Sequence, residues 1–327
     1  MSADKNSDDA IRSDPAPNCS ICGEKGVLLY SKLHDRLFGS NGVWSMNQCP
    51  NIDCGTLWLD PCPYEEDMGK AYQNYITHGK EALSLKKENT LKTLVLCFLR
   101  ALNVISLERI DRIYMYIKNL KPGRLLEVGC GNGEKLSLMK KRGWQVVGQE
   151  VDPIAAQNAR SKYHCEIHVG PLEKIQFKSD SFDAIILNHV IEHLHHPIDT
   201  LKECRRILKK GGAIVAATPN TKSFGHAYFG RDWAGIDVPR HIHIFSPQSL
   251  RKMAEKTGFN NYKSWSTAVF SALLGRISFD IKNGNDSPMG NPSILSTLKA
   301  LVYKLWCVIK IMVDKDSGEE CVLLIRK

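Results

Sequence analysis

The sequence has no run of about 18 uninterrupted apolar residues, the length that a membrane-spanning helix requires. The segment Met1–Asp9 is polar and lacks the apolar core of a secretory signal, so we expect a cytoplasmic protein. No tract interleaves basic and aromatic side chains as nucleic-acid grooves do, and the lysines behind the net charge of +9 are scattered. The charge alone fits an anionic substrate, a nucleic acid, a membrane surface or a soluble protein with excess surface lysine.

Disorder of the whole chain is also excluded, because 43% of the 327 residues are hydrophobic. This length holds one large domain or two moderate ones. In a reducing compartment the eleven cysteines favour metal binding or buried thiols over disulfides.

Four of the cysteines stand in two knuckles near the amino terminus. Cys19 and Cys22 enclose two residues in a C-x-x-C pattern, Cys49 and Cys54 enclose four residues, and a glycine follows each pair. Four thiolates form a closed tetrahedral site that suits structural zinc. We therefore predict disorder over residues 1–17 and a zinc-binding, ribbon-like domain over 18–64. Cys62 is a possible substitute ligand, and the alternative is four unrelated buried cysteines.

Residues 65–121 read as a helical connector. The apolar stretch Leu91–Leu107 predicts a packed helix, and Glu108–Leu120 predicts an amphipathic one with Ile110 and Ile113 on its apolar face. The breaker Lys121–Gly123 then precedes the next domain.

Strand-like and helix-like runs alternate from residue 122 to about 268, and a last strand is expected at 319–327. This order predicts an α/β domain, 122–327, with a parallel sheet covered by helices on both faces and an apolar helical insert at about 269–316. Ligands of such sheets bind beyond the carboxyl ends of the strands. The first strand ends in a turn with glycines at 129, 131 and 133, and Glu150 ends the second strand, where an acid accepts hydrogen bonds from ribose hydroxyls.

Further motifs indicate which class of ligand binds at this edge of the sheet. They are the acidic Glu127 before the turn, the segment Ser181–Asp183, the pair Glu192–His193 and the turn Lys210–Gly212. With these motifs, residues 125–219 resemble the class I S-adenosylmethionine-dependent methyltransferases, in particular the branch with ubiquinone-biosynthesis O-methyltransferases. The cysteine-rich head is similar to that of a subgroup with sugar C-methyltransferases and enzymes of surface-polysaccharide pathways.

The resemblance implies a Rossmann-like seven-stranded sheet whose last strand is antiparallel, with S-adenosyl-L-methionine as cofactor. It also implies the cofactor-binding residues, which are Glu127, Gly129, Cys130, Gly131, Gly133, Glu150, Val151, Pro171, Leu172 and Asn188. Many relatives carry an acid at the position of Pro171, so main-chain groups would replace that contact to the adenine here.

A hydroxyl or carbon acceptor needs a base, and two histidines are candidates. His189 follows the fourth strand, and His241 matches the active-site histidine of the His-x-x-x-Phe-Ser segment in sugar C-methyltransferases. The alternatives are a structural role for His241 and, as in some ubiquinone-type enzymes, metal ligation by the motif from His189 to His193. His243 faces the other way, whereas three residues of the same loop are candidates for holding an anionic or sugar-bearing acceptor: Arg231, Trp233 and Arg240.

The insert contains one strongly apolar helix, Ile294–Val313. It is interpreted as a helix packed on the sheet, a lid, a dimer contact or a membrane-surface contact. The leading functional hypothesis is methylation of a small molecule, such as a nucleotide-linked sugar, a surface-polysaccharide intermediate or a lipid-linked acceptor. The alternatives are an RNA or protein methyltransferase that grips its substrate with the zinc head, and a non-catalytic cofactor-binding regulator. The oligomeric state stays open.

Overall fold

A seven-stranded sheet forms the centre of the protein. The computed structural model describes residues 10–73, 107–285, 289–290 and 292–327. The sheet strands are β6 (Arg124–Val128), β7 (Gln145–Glu150), β8 (Glu166–Val169), β9 (Phe182–Asn188), β10 (Leu208–Pro219), β12 (Asn261–Thr267) and β13 (Glu320–Arg326). Their order is β12-β13-β10-β9-β6-β7-β8, and β13 is antiparallel to both of its neighbours. The predicted sheet with its antiparallel last strand is confirmed.

The parallel strands are near-continuous apolar runs because both of their faces are covered. Leu125, Leu126 and Ile185 are fully buried, for example. The helices that accompany the sheet are α3 (Glu134–Lys140), α4 (Pro153–Tyr163), α5 (Pro197–Ile207) and α7 (Pro247–Lys256). Parallel pairing of β6, β7 and β9 brings their carboxyl ends, with the residues that follow them, to one edge of the sheet.

The cysteine-rich head is a second, four-stranded antiparallel sheet. It contains β2 (Val27–Leu33), β3 (Trp44–Gln48) and β4 (Leu57–Leu59), and its edge strand β11 (His243–Ile244) comes from the loop after β10. Strand β11 pairs with β4. The head is therefore joined through main-chain hydrogen bonds to the loop that carries His241.

The predicted disorder of residues 1–17 is wrong for residues 10–17. Strand β1 (Ser13–Asp14) pairs with β5 (Cys62–Pro63), and the Arg12 guanidinium donates to the Asp67 carboxylate at 2.7 Å. A short 3-10 turn, Glu65–Asp67, and helix α1 (Met68–Ala71) follow. Residues 1–9 lie outside the described residues.

The connector differs in part from its prediction. Helix α2 spans Leu107–Ile113 and does not continue to residue 120, because Met115 and Tyr116 have φ of +47° and +56°. These turn residues place Met115 in the core, whereas Ile110 stays 44% exposed. The helix predicted over 91–107 falls outside the described residues, apart from its last residue.

The insert contains α8 (Ser271–Lys282) and α9 (Ile294–Val313), preceded in the chain by α6 (Phe224–Phe229) after β10. Tyr303 of α9 packs among Phe224, Phe229 and Phe279, with ring centroids 5.5–6.1 Å apart. Among the described residues, none of the helices meets the length and apolarity of a membrane span.

Candidate cofactor and acceptor site

The turn after β6 requires glycine at positions 129 and 133, because each has a positive φ and no space for a Cβ atom. Gly129 has φ +60°, and a Cβ there would lie 2.6 Å from the Val190 side chain. Gly133 has φ +78°, and a Cβ there would lie 2.9 Å from Ala159 of α4. Side chains at these positions would separate the turn from the strand end and from the neighbouring helix. Helix α3 begins directly after the turn, so its first amide groups face the same edge of the sheet.

Glu150 ties the glycine turn to the end of β7. Its carboxylate accepts hydrogen bonds from the main-chain amides of Gly131 at 2.7 Å and of Val151 and Asp152 at 2.8 and 3.0 Å. Burial raises the pKa of Glu150, and these three amides act in the opposite direction. These contacts fix the Glu150 carboxylate at the end of β7, and its contact to a ribose stays a prediction.

Glu127 is a buried acid with an unpaired oxygen. Its side chain is almost fully buried, and Oε2 has no hydrogen-bond partner among the described residues. Burial raises its pKa to about 8, and the positive charge of Lys135 opposes that rise. An unpaired buried acceptor at this position suits the amino group of a ligand.

Where the sequence predicts the adenine contact, Leu172 is buried and opens a 3-10 turn, Leu172–Lys174, whose N-cap is Pro171. The amide of Cys130 donates to the Gln149 carbonyl at 2.9 Å. Val151 is 63% exposed beside the Glu150 carboxylate. The predicted cofactor residues therefore lie at one sheet edge.

A cleft of about 300 Å³, which we call the carboxyl-edge cleft, opens where β9 ends. Its polar wall consists of Asn188, Lys135, Arg109 and Arg112, and its apolar wall of Ile113, Val269, Phe270, Ala272 and Leu273. Burial and the nearby Arg112 guanidinium lower the pKa of Lys135. The cleft is a cationic cavity with one apolar side.

Arg112 organises the floor of this cleft. Its guanidinium donates two hydrogen bonds to the buried Glu320 carboxylate, at 2.6 and 2.7 Å, and one to the Asn188 amide oxygen at 2.6 Å. Arg112 was not among the predicted site residues, because its partner is 208 positions away. Gln149, whose side chain accepts from the Gly129 amide at 3.0 Å, was not among them either.

His189 joins the cleft to a buried acidic pair. Its φ is +54°, its ring meets Phe270 edge to face at 5.3 Å, and its nitrogens contact Glu192 at 3.2 Å and Glu320 at 2.9 Å. Burial lowers the pKa of His189, but the hydrogen bonds to these carboxylates outweigh that effect and raise the pKa to about 9. His189 is therefore protonated at neutral pH.

His241 lies on the other side of Glu192. One ring nitrogen each of His193 and His241 and one Glu192 carboxylate oxygen lie within 4.8 Å of one another. Glu192 is fully buried and its Oε2 has no hydrogen-bond partner among the described residues. The structure thus brings the two predicted catalytic histidines to the same carboxylate, with His189 on one oxygen and His241 near the group.

Both imidazoles of this cluster have a fixed tautomer. Nδ1 of His241 contacts the Gly235 carbonyl at 2.8 Å, and Nδ1 of His193 contacts the Arg240 carbonyl at 2.9 Å. A carbonyl only accepts, so Nδ1 donates in both rings and Nε2 remains an acceptor. The metal alternative would accordingly use Glu192, His193 and His241 as ligands, with His189 outside the set.

Two of the loop residues predicted to hold an acceptor do not face a cleft. Arg240 is fully buried, and its guanidinium pairs with the carboxylates of Asp35 and Asp237. Trp233 is fully buried and donates its indole N–H to Glu319 at 2.8 Å. Their prediction as acceptor ligands is wrong, because both fix the loop internally.

The other residues singled out in this loop also make internal contacts. Arg231 donates to the carbonyls of Ser31 and Lys32 in the head. His243 contacts the Ser20 hydroxyl at 3.0 Å and the Leu194 carbonyl at 3.2 Å, which agrees with its predicted orientation away from the site.

The four knuckle cysteines converge in the head. The sulfur atoms of Cys19 and Cys54 are 3.7 Å apart, those of Cys22 and Cys49 are 3.3 Å apart, and all four lie within 4.8 Å of one another. Tetrahedral zinc with Zn–S bonds of about 2.3 Å separates its sulfurs by about 3.8 Å. Cys62 lies outside this cluster, where its thiol contacts the Pro63 carbonyl.

The chain is similar to known methyltransferases. A family model described as "Methyltransferase domain" matches residues 103–264. A ubiquinone biosynthesis O-methyltransferase of Cereibacter sphaeroides is 31% identical over 166 residues, which cover 45% of this chain and 67% of that protein. A probable S-adenosylmethionine-dependent methyltransferase of Mycolicibacterium smegmatis is 29% identical over 153 residues, 46% of this chain and 58% of that protein. Among solved structures, phosphoethanolamine N-methyltransferase 2 of Haemonchus contortus with S-adenosyl-L-methionine matches 91% of this chain and 71% of its own at 14% identity and a TM-score of 0.49.

Proposed function

Because this chain belongs to the class I S-adenosylmethionine-dependent methyltransferases, we propose that it methylates a hydroxyl group of a small molecule bound in the carboxyl-edge cleft. The unpaired acceptor oxygen of Glu127, the Glu150 carboxylate and the positive-φ glycine turn that begins at Gly129 fit the amino, ribose and methionine parts of the cofactor. When bound, S-adenosylmethionine supplies an electrophilic methyl group. The protein must then align the acceptor and exclude water.

A hydroxyl acceptor loses its proton as the new bond to the methyl carbon forms, so the site needs a base. His241 is our candidate, because its Nδ1 donates to the Gly235 carbonyl and Nε2 remains an acceptor. His241 is not among the residues that line the carboxyl-edge cleft, so the proposal requires the acceptor hydroxyl to extend from the cleft to the cluster of Glu192 and His241. The Glu192 carboxylate lies within 4.8 Å of this imidazole, so its negative charge would stabilise the imidazolium that forms once Nε2 has taken the proton. His189, whose pKa is raised to about 9, instead holds Glu192 as a charged partner.

The carboxyl-edge cleft is the observation that carries the proposed acceptor class. At about 300 Å³ it suits part of a small molecule. Its apolar wall, with Phe270 and Leu273, and its cations favour an acceptor that combines an apolar portion with an anionic or polar group. The relatives named for O-methylation in ubiquinone biosynthesis support a hydroxyl acceptor. The nucleotide-sugar or polysaccharide acceptor stays a prediction.

Methyl transfer from labelled S-adenosylmethionine into a fractionated cell extract tests this proposal. We expect label in the small-molecule fraction, with His241→Asn lowering turnover at least a hundredfold and leaving cofactor binding intact. His168→Asn, at an exposed histidine on β8, serves as the matched control. Label in RNA or protein would support the macromolecular alternative, and cofactor binding without any transfer would support the regulatory one.

We also propose that Cys19, Cys22, Cys49 and Cys54 hold a structural zinc ion. Their converging sulfur atoms leave no position for a substrate ligand once four thiolates bind. The glycines that follow both pairs, Gly23 and Gly55, have φ of +85° and +62°, as tight knuckle turns require. Metal analysis tests this: one zinc per chain supports it, and no metal after purification without chelators would contradict it.

A further inference from the structure

Helix α9 packs on the protein through one narrow stripe only. Ala300, Tyr303 and Cys307, spaced three and four residues apart, are its buried positions. The Tyr303 hydroxyl donates to the buried Glu319 carboxylate at 2.6 Å, and its ring packs on Phe224 and Phe229 of α6 and on Phe279 of α8. The helix orientation, and hence its outer face, is therefore well defined.

The outer face is apolar along its whole length. Leu298, Val302, Leu305, Ile309 and Met312 recur at alternating spacings of four and three residues, which places them on one stripe opposite the buried one. Leu305 is 60% exposed and Met312 80% exposed. Trp306, 54% exposed, lies at the border of this stripe. A continuous exposed apolar surface of this kind marks an interaction site.

Lysines flank this outer stripe. Lys299 and Lys310 are eleven residues apart, three helical turns, and lie on one flank, whereas Lys304 lies on the other. The helix contains no acidic residue from Ile294 to Val313, and Asp314 follows at its C-cap. The face therefore combines apolar side chains, a border tryptophan and positive charge.

We propose that α9 lies in the surface of an anionic lipid bilayer, with its outer stripe in the acyl boundary and its lysines at the headgroups. Apolar residues on one face and flanking lysines are the chemistry that anionic lipid surfaces recognise. A second copy of the chain fits less well, because packing two such faces together brings lysines near lysines. The buried side of α9 packs on α8, and Leu273 of α8 lines the carboxyl-edge cleft and is 46% exposed.

Sedimentation of the full chain with vesicles tests the proposal without any assay of methyl transfer. We expect binding to vesicles of equal parts phosphatidylcholine and phosphatidylglycerol, and little binding to pure phosphatidylcholine. Lys299→Gln with Lys310→Gln should weaken binding about thirtyfold, at about 1 kcal/mol per lysine. Leu305→Gln with Ile309→Gln should weaken it at least tenfold.

A matched control replaces an exposed apolar pair in the head, Val27→Gln with Leu28→Gln, and should leave vesicle binding unchanged. Unaltered cofactor affinity and circular dichroism establish that each variant is folded. Equal sedimentation of the Leu305→Gln/Ile309→Gln variant and the wild type would overturn the proposal. So would a lipid-free dimer that this variant dissociates, since the face would then be an interface between copies.

Discussion

Removing the cysteine cluster should separate methyl transfer from cofactor binding. The perturbation is Cys19→Ser with Cys22→Ser, or zinc removal by a chelator. Structural zinc contributes about 10–16 kcal/mol of apparent binding free energy in small zinc modules. A whole domain is stable by only about 5–15 kcal/mol. The head should therefore lose its fold without the metal.

The consequence for the site follows from three contacts. Strand β11 pairs with β4 of the head, the Ser246 hydroxyl donates to the Cys54 carbonyl at 2.6 Å, and Arg240 pairs with Asp35. These contacts fix both sides of the segment that carries His241. Gly129 and Glu150, the proposed cofactor residues, are in contrast fixed by the large sheet.

We therefore expect methyl transfer to fall at least a hundredfold in the double variant, with the dissociation constant for S-adenosylmethionine within about threefold of wild type. Calorimetry measures the affinity, label transfer the activity, and elemental analysis the zinc. Cys62→Ser, a change in the same head but outside the cluster, is the matched control and should keep metal and activity. Full activity of the zinc-free protein, or equal loss of cofactor binding, would refute the coupling.

Three further outcomes test other parts of the site. Glu150→Gln should weaken S-adenosylmethionine binding about tenfold to a hundredfold in calorimetry, since it removes a charged acceptor. Glu166→Gln on the neighbouring strand is the control and should leave the affinity unchanged. Equal affinities of the Glu150→Gln variant and the wild type would exclude the ribose role. Arg112→Met should lower the free energy of unfolding by about 3 kcal/mol in denaturant titrations, because Glu320 loses a buried partner. Adding Glu320→Gln to this variant should restore part of the lost stability. An unchanged unfolding midpoint of the Arg112→Met variant would contradict this expectation. His189 has a pKa of about 9, above its usual 6.5, so its stabilising effect should be full below about pH 6.5 and be lost as the pH rises through 9. A stability difference between wild type and His189→Gln that stays constant over this range would exclude the ion pairs.

The cofactor edge could be predicted because its signals are local in sequence. A buried apolar strand, a glycine turn and an acid at the next strand end each occupy a few neighbouring residues, and parallel pairing brings them together. The bounds of the helix Ile294–Val313 follow from a local pattern too, and they are confirmed. Periodicity and capping are sufficient for such features.

The network around the cleft could not be predicted, because its partners are distant in sequence. Arg112 pairs with Glu320 and Arg240 with Asp35, more than 200 positions apart in each case. An arginine in a polar loop looks like a substrate ligand until the carboxylate that neutralises it is located. Helix α2 ends at Ile113 for a similar reason, since burial of Met115 in the core overrides helix propensity.

Titration calorimetry of the wild-type protein with S-adenosylmethionine is the direct test of the proposed cofactor site. We expect saturable binding at one site per chain, competed by S-adenosylhomocysteine, because the glycine turn and the Glu150 carboxylate together form one proposed site. No measurable binding, or binding that S-adenosylhomocysteine does not displace, would contradict the assignment of this sheet edge as the cofactor site.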